Sequence, residues 1–463
     1  MARTNLKIKL EPIFTHEGGK AKHINLELQL RRSVMSCMLW ESEFYESGES
    51  IAKRISNLIP LVSPEKVALI AIEARNQMKL RHVPLLIARE MARYPEYKKY
   101  VSYVLENIIQ RADELPEFLS LYWKDGKQPI SAQVKKGLAN AFNKFSEYDL
   151  GKYNRDTSIK LRDVLFLCHA KPKDSEQELL WKKLINNTLE IPDTWETELS
   201  AGKDKKETWE RLLIEKKLGA LALLRNLRNM HNSNVDKNLI FNALDKMKTE
   251  KVLPFRFISA ARYVPQWESK LETIMFKCLG SQEKLSGHTV LLIDVSGSME
   301  AKLSEKSDIT RLDAACGVGM LLREVCEKVD IFTFSNTLVR VLDRHGFSLK
   351  DSINKSQNHS MTYLGEAIKS IYSNKDISLN GYSSRFSSKG QNIHPDRLIV
   401  ITDEQSHDDV PNPESIGYMI NVASNKNGVG YGSSWLHIDG FSESVIDYIR
   451  CIEMYKQIKD VDE

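Results

Sequence analysis

Apolar positions in the first three-fifths of the chain recur at three- and four-residue spacing, the mark of amphipathic helices. The pattern predicts helices over 51–59, 64–77, 83–94, 98–112, 117–123 and 131–146, and again over 159–168, 176–188, 206–215, 218–230, 235–247 and 265–278. Prolines at 60, 64, 84, 95, 116 and 129 punctuate them. Ser63-Pro64 reads as a helix entry, with a hydroxyl at the N-cap and Pro in the first turn, where its missing N–H costs nothing. Residues 1–25 read as irregular, with a turn over 15–20 (THEGGK). From Leu26 to about Cys278 no segment alternates as a strand would. Short connections between helices predict an α-solenoid with degenerate repeats, and a compact irregular bundle is the alternative.

After Ser286 the period changes. Strand-like runs fall at 289–294, 329–335, 338–342, 397–403, 419–424 and 435–439, with helical runs between them at 309–326 and 364–372 and a final one at 442–458. Alternating strands and helices predict an α/β layer around a largely parallel sheet. Residues 373–395 are rich in Ser, Asn and Gly and read as a mobile surface loop. The chain therefore divides into a helical domain, 1–285, and an α/β domain, 286–463.

Charge follows the same division. From Ser286 onward there are 18 Lys and Arg against 25 Asp and Glu, a net of −7, while the preceding residues carry a net of +11. A basic body followed by an acidic one suggests a polyanionic partner for the first. No apolar run reaches the ~20 residues that span a bilayer. The N-terminus lacks the apolar core of a secretory signal, so a cytoplasmic protein is expected. Six scattered cysteines without a Cys-x-x-Cys pair read as thiols in a reducing compartment.

The candidate chemistry of the acidic half lies at 288–299, HTVLLIDVSGSM. A buried strand ends there in Asp294, Ser296 and Ser298, three hard oxygen ligands suited to Mg²⁺ or another hard divalent cation. Three oxygens leave an octahedron incomplete. Thr362, ahead of the helix at 364–372, and Asp403, at the end of LIVITD, are placed to complete it at the same sheet edge. The set resembles the metal-ion-dependent adhesion site of von Willebrand factor A domains. Asp294, Ser296 and Ser298 match that family's first loop, Thr362 its threonine loop and Asp403 its distal aspartate. Ser360-Met361-Thr362 departs from the family's common Gly-Gly-Thr. The resemblance implies a Rossmann-like, doubly wound domain whose metal holds a carboxylate of an acidic protein ligand. Nothing in the loop pairs a nucleophile with a base, and the loop supplies serines where a metal nuclease would need a second carboxylate beside Asp294. The expectation is a protein that is not an enzyme.

In the basic half, 152–173 (KYNRDTSIKLRDVLFLCHAKPK) combines Lys152, Arg155, Arg162, His169 and Lys171 with Tyr153. Cations neutralise phosphates and aromatic rings stack on bases. A solvated helix face would look the same by spacing alone. The segments at 81–93, 111–123, 160–172, 218–230 and 253–264 resemble the TROVE module of the Ro autoantigen ribonucleoproteins, and the adhesion-type domain follows them in that family's order. The resemblance implies a ring of HEAT-like helical repeats. It also implies small noncoding RNA of the Y type on the basic outer surface and single-stranded ends of misfolded RNA in a central hole. The family's outer-surface Lys and His fall on Lys152 and His169, whereas a further family Arg falls on Asp156, beside Arg155. It implies in addition a 3′-to-5′ exoribonuclease partner such as polynucleotide phosphorylase. The function expected is RNA binding in noncoding-RNA quality control. The alternative is a metal-dependent protein-interaction scaffold acting through its α/β domain.

Overall fold

The computed structural model describes residues 14–15, 17–21, 25–36, 48–76, 80–200, 202–248, 252, 254–280, 284–303, 308–373, 378–379, 394–423, 427–430, 434–439, 445–446, 449–450 and 453. Two compact units emerge: one of 26–252 and 260–274, the other of 1–25, 253–259 and 275–463.

The first unit is helical throughout its described residues. Pro64–Asn76 packs on Lys98–Ile108, which packs on Ala132–Phe142, which packs on Leu161–Cys168. His82–Met91 and Glu114–Tyr122 form a second line of contacts in the same way. Along both lines a helix packs on the next but one in sequence, the packing of a solenoid of stacked repeats. A continuous core running from Leu30 to Leu184 fills the space between the lines.

Local chemistry sets the ends of these helices. The run expected over 131–146 breaks after Phe142, and a new helix, Glu147–Tyr153, starts on a capping box of Ser146 and Asp149. Ser131 and Asp174 cap the helices that follow them by accepting a backbone N–H. Helices at Trp195–Ser200 and Pro254–Tyr263 add to those the periodicity predicts.

Among its described residues the second unit holds a seven-stranded sheet: β1 (Leu285–Asp294), β2 (Cys326–Phe334), β3 (Leu338–Arg340), β4 (Ser378–Leu379), β5 (Arg397–Thr402), β6 (Ile416–Asn421) and β7 (Trp435–Asp439). Their order is β4-β3-β2-β1-β5-β6-β7. Only the β2–β3 pair is antiparallel. Helices α1 (Arg311–Val325), α2 (Gly346–Asn354) and α3 (Leu364–Ser373) connect the strands. Val290–Ile293 on β1 and Leu398–Ile401 on β5 are buried without interruption, as central parallel strands covered on both faces must be. Gly319 lets α1 lie close on the sheet, since a Cβ there would stand 2.9 Å from the Ile293 methyl. The chain leaves β1 toward β2 on one side and reaches β5 on the other. The crevice at this switch point is where ligands of open α/β sheets gather.

The α/β elements match the expected alternation, with α2 and β4 added. The final helix expected at 442–458 and the loop at 373–395 lie largely outside the described residues. Among the described residues no helix is long and apolar enough to cross a membrane. Cys168, Cys278, Cys316 and Cys326 are buried and outside any disulfide.

Candidate metal site and nucleic-acid interface

Parallel pairing of β1 with β5 aligns Ile293 with Ile401, so Asp294 and Asp403 leave the same sheet edge on adjacent strands. Both are fully buried. Asp294 Oδ1 accepts the Ser296 amide at 2.8 Å and Oδ2 accepts the Thr402 hydroxyl at 2.6 Å. The Ser298 hydroxyl donates to Asp403 Oδ2 at 2.6 Å and lies 3.3 Å from the Ser296 hydroxyl. The chain turns sharply after Asp403, with Glu404 at φ +61° and its amide bonded back to the Thr402 hydroxyl. Burial first, and the negative charge of Asp403 second, push the Asp294 carboxyl up to about 7. Arg311 Nη1, 3.4 Å from Asp403 Oδ2, supplies a positive charge.

Thr362 is buried at the same edge. The Gly297 amide donates to the Ser360 carbonyl at 3.0 Å, stitching the loop after β1 to the loop ahead of α3. Ser335 fixes that loop from below, accepting the Ser360 amide and donating to the Met361 carbonyl. His407 holds Thr362 itself. The Thr362 amide donates to His407 Nδ1 at 3.1 Å, and the His407 amide donates to the Thr362 carbonyl at 2.8 Å. Since Nδ1 accepts, Nε2 carries the proton, and it faces Glu17 at 3.1 Å. Both imidazole nitrogens are engaged, so His407 is no free base. Asp408 caps α3, accepting the Gly365 and Glu366 amides at 2.9 and 2.7 Å.

The turn near the N-terminus docks on this loop. Thr15 Oγ1 and the Gly19 amide both donate to the Ser406 carbonyl, at 2.8 and 3.1 Å. Lys20 pairs with Asp409 at 2.8 Å, and Asn427 donates to the Phe14 carbonyl at 2.9 Å. A Cβ at Gly19 would lie 2.3 Å from the Ser406 oxygen, so only glycine permits this approach. The pair of glycines at 18–19 signals a turn in the sequence. Its partner, nearly four hundred residues away, has no local signal, and neither do Arg311, Thr402 or His407.

Two buried carboxylates and a set of hydroxyls form a hard, anionic, oxygen-only donor set. It fits a divalent cation such as Mg²⁺ and suits neither zinc nor a redox metal. Among the described residues no group of three or more His, Cys, Asp and Glu competes with it.

The candidate RNA-contacting residues lie in the helical unit. Lys152 ends its helix half-buried, its ammonium about 6 Å from the centroids of the Tyr148 and Tyr153 rings (5.9 and 5.7 Å) and 4.0 Å from Glu196. Arg155 is exposed and lines a cavity of ≈ 520 Å³ with Tyr153, His82, Asp113, Glu117 and Lys124. Asp156 pairs with Lys160 at 2.6 Å rather than facing Arg155. Arg162 and Lys171 are exposed. His169 ends its helix in the left-handed conformation (φ +54°) and lines a second cavity with Trp123 and Phe166. The structure thus sets Arg155 and His169 at different cavities of one unit.

Residues 186–291 match the TROVE domain family model. Telomerase protein component 1 of Rattus norvegicus is 22% identical over 314 residues, covering 48% of this chain and 12% of the relative. The Mus musculus protein of that name is 26% identical over 185 residues, covering 38% and 7%. The chain therefore spans about an eighth or less of the length of these relatives. The crystal structure of the Ro (RSR) protein of Deinococcus radiodurans superposes with a TM-score of 0.57 at 16% identity, covering 91% of this chain and 97% of that one. At that identity the likeness shows the fold, and it extends over both the helical unit and the α/β unit. Residues 186–291 thus carry a likeness to the TROVE domain, and the chain has the fold of that Ro protein.

Proposed function

We propose that this chain is a noncatalytic RNA-binding protein of the Ro type. In this reading its helical half holds noncoding RNA, including a small Y-like RNA on the basic residues Lys152, Arg155, Arg162, His169 and Lys171. Single-stranded ends of misfolded RNA are a second ligand of the same half, and a 3′-to-5′ exoribonuclease is the partner that would consume them. The α/β half binds Mg²⁺ through Asp294, Ser296, Ser298, Thr362 and Asp403. The ion, when bound, supplies an open coordination position for a carboxylate of an acidic protein ligand.

The observation that carries the RNA reading is the TROVE match combined with a Ro-type fold over nine-tenths of the chain. Charge supports it, since the net positive charge precedes Ser286 and the acidic excess follows it. The metal loop supports docking rather than turnover. Its carboxylates are tied to Ser296, Thr402 and Ser298, and the adjacent imidazole has no free nitrogen.

Titration of a labelled small RNA across salt concentrations tests the reading. Affinity falls steeply with salt, and the joint substitution Lys152→Ala/His169→Ala weakens binding and flattens the slope of log affinity against log salt by about one to two. Binding that is absent or insensitive to salt overturns it. The scaffold reading draws its support from the complete donor set at one sheet edge. Absorbance at 260 nm of protein purified from its native cell separates the two, because a scaffold carries no nucleic acid.

A further inference from the structure

The cavity beside His169 has a lining unlike any other part of the helical unit described above. Its walls are Trp123, Pro129, Ile130, Phe166 and Leu167, and its volume is ≈ 590 Å³. Phe166 is 57% exposed and Leu167 37%, so two large apolar side chains on one helical turn face solvent instead of the core. The burial of that helix is carried by Leu161, Val164, Leu165 and Cys168. Trp123 is fixed in place, its indole N–H donating to the Gln128 carbonyl at 2.7 Å.

The basic residues of the lining are Lys127, Lys135 and His169, and no carboxylate is among them. Lys127 lies 5.6 Å from the Trp123 ring centroid. Among the described residues neither lysine forms an ion pair. The cavity beside Arg155 differs, because Asp113 and Glu117 line it and are held there by Arg81. An apolar, aromatic wall with an uncompensated positive rim complements a ligand with a flat apolar body and a negative charge. His169 stands at this rim in a backbone conformation that side chains seldom adopt, closing its helix by donating to the Phe166 carbonyl at 3.2 Å.

We propose that this cavity takes one unpaired nucleotide of a single-stranded RNA. Its base packs on Phe166 and Trp123, and its phosphates lie among Lys127, Lys135 and His169. The proposal rests on the RNA-binding reading and adds to it a stacking site that reading does not contain. Stacking accepts any base, so the site selects for an unpaired strand rather than for a sequence.

Three forms of the full-length chain test it: wild type, Phe166→Ala and Phe166→Tyr. Each is titrated with a uridine decamer and with a decamer of the same backbone lacking bases. The exposure of Phe166 leaves the fold intact in both variants, and circular dichroism verifies this. Phe166→Ala binds the uridine decamer roughly ten-fold more weakly, Phe166→Tyr binds it as wild type does, and all three bind the baseless decamer equally. Equal affinity of wild type and Phe166→Ala for uridine overturns the stacking site, and so does an equal loss on both decamers. Failure of the wild type to bind either decamer or any labelled RNA overturns the RNA reading itself. Capture of a polyglutamate peptide, but not RNA, in a Phe166-dependent manner assigns the cavity to protein and overturns the proposal.

Discussion

In the helical unit Glu114 is fully buried and its charge is met on every side. Arg75 Nη2 reaches its Oε1 at 2.7 Å, and the Gln110 and Arg111 amides donate to its Oε2 at 2.8 and 3.1 Å. In the α/β unit Asp294 and Asp403 are buried as deeply, yet two carboxylates share one edge with Arg311 at 3.4 Å from one of them. The first arrangement is complete as it stands and ties three stretches of a solenoid together. The second leaves negative charge in a low-dielectric site, the condition that raises the Asp294 carboxyl and that a divalent cation relieves. Buried charge is structural where one cation meets one carboxylate and points to a ligand where two carboxylates share one guanidinium.

The largest effect is expected from breaking the saturated pair. Glu114→Ala strands the Arg75 guanidinium in the core and should cost about 3–5 kcal/mol of stability, read from the denaturant midpoint. A loss below about 1 kcal/mol would show that Arg75 is hydrated and the pair is not structural. The two-carboxylate edge should respond in the opposite sense. Mg²⁺ at a hundred times its Kd should stabilise the chain by about 2.7 kcal/mol, and Asp294→Ala should abolish that shift.

The pH dependence of the metal effect follows from the same carboxyl. Its folded pKa lies above its unfolded value, so without metal its contribution to stability is greatest in acid and is lost as pH rises toward and through about 7. Protons and Mg²⁺ compete for it. The Mg²⁺-induced rise in Tm should therefore be larger at pH 8 than at pH 5.5, and a shift independent of pH would place the ion elsewhere.

A smaller effect sharpens the comparison at the docked turn. Gly19→Val forces the turn off the Ser406 carbonyl and loosens the His407 contact that holds Thr362. Losing about one hydrogen bond of positioning, on the order of 1 kcal/mol, should weaken Mg²⁺ binding roughly five-fold in calorimetry. RNA affinity should not change.

Much of this division is legible in the sequence. The uninterrupted apolar run Val290–Ile293 locates β1, and Asp-x-Ser-x-Ser after it locates the first loop. Helices with strong three- and four-residue periodicity fall where expected, with ends displaced by caps such as Ser146–Asp149. Glu147–Tyr153 escapes the periodicity because only Leu150 among its seven residues is buried. The two-residue β4 carries no pattern long enough to read, whereas β3 falls within the run expected at 338–342. The supports of the metal site escape for another reason. Thr402, His407, Arg311 and the turn at 15–20 act across long sequence separations, and their roles exist only once β1 and β5 lie side by side.

The central claim is that RNA binding belongs to the helical half and metal-dependent docking to the α/β half. The most direct test is the affinity of wild type and Asp294→Ala for one labelled RNA, each measured with Mg²⁺ and with a chelator at several salt concentrations. Equal affinities and equal salt slopes for the two proteins are the predicted result. Loss of RNA binding in a folded Asp294→Ala protein would contradict that division.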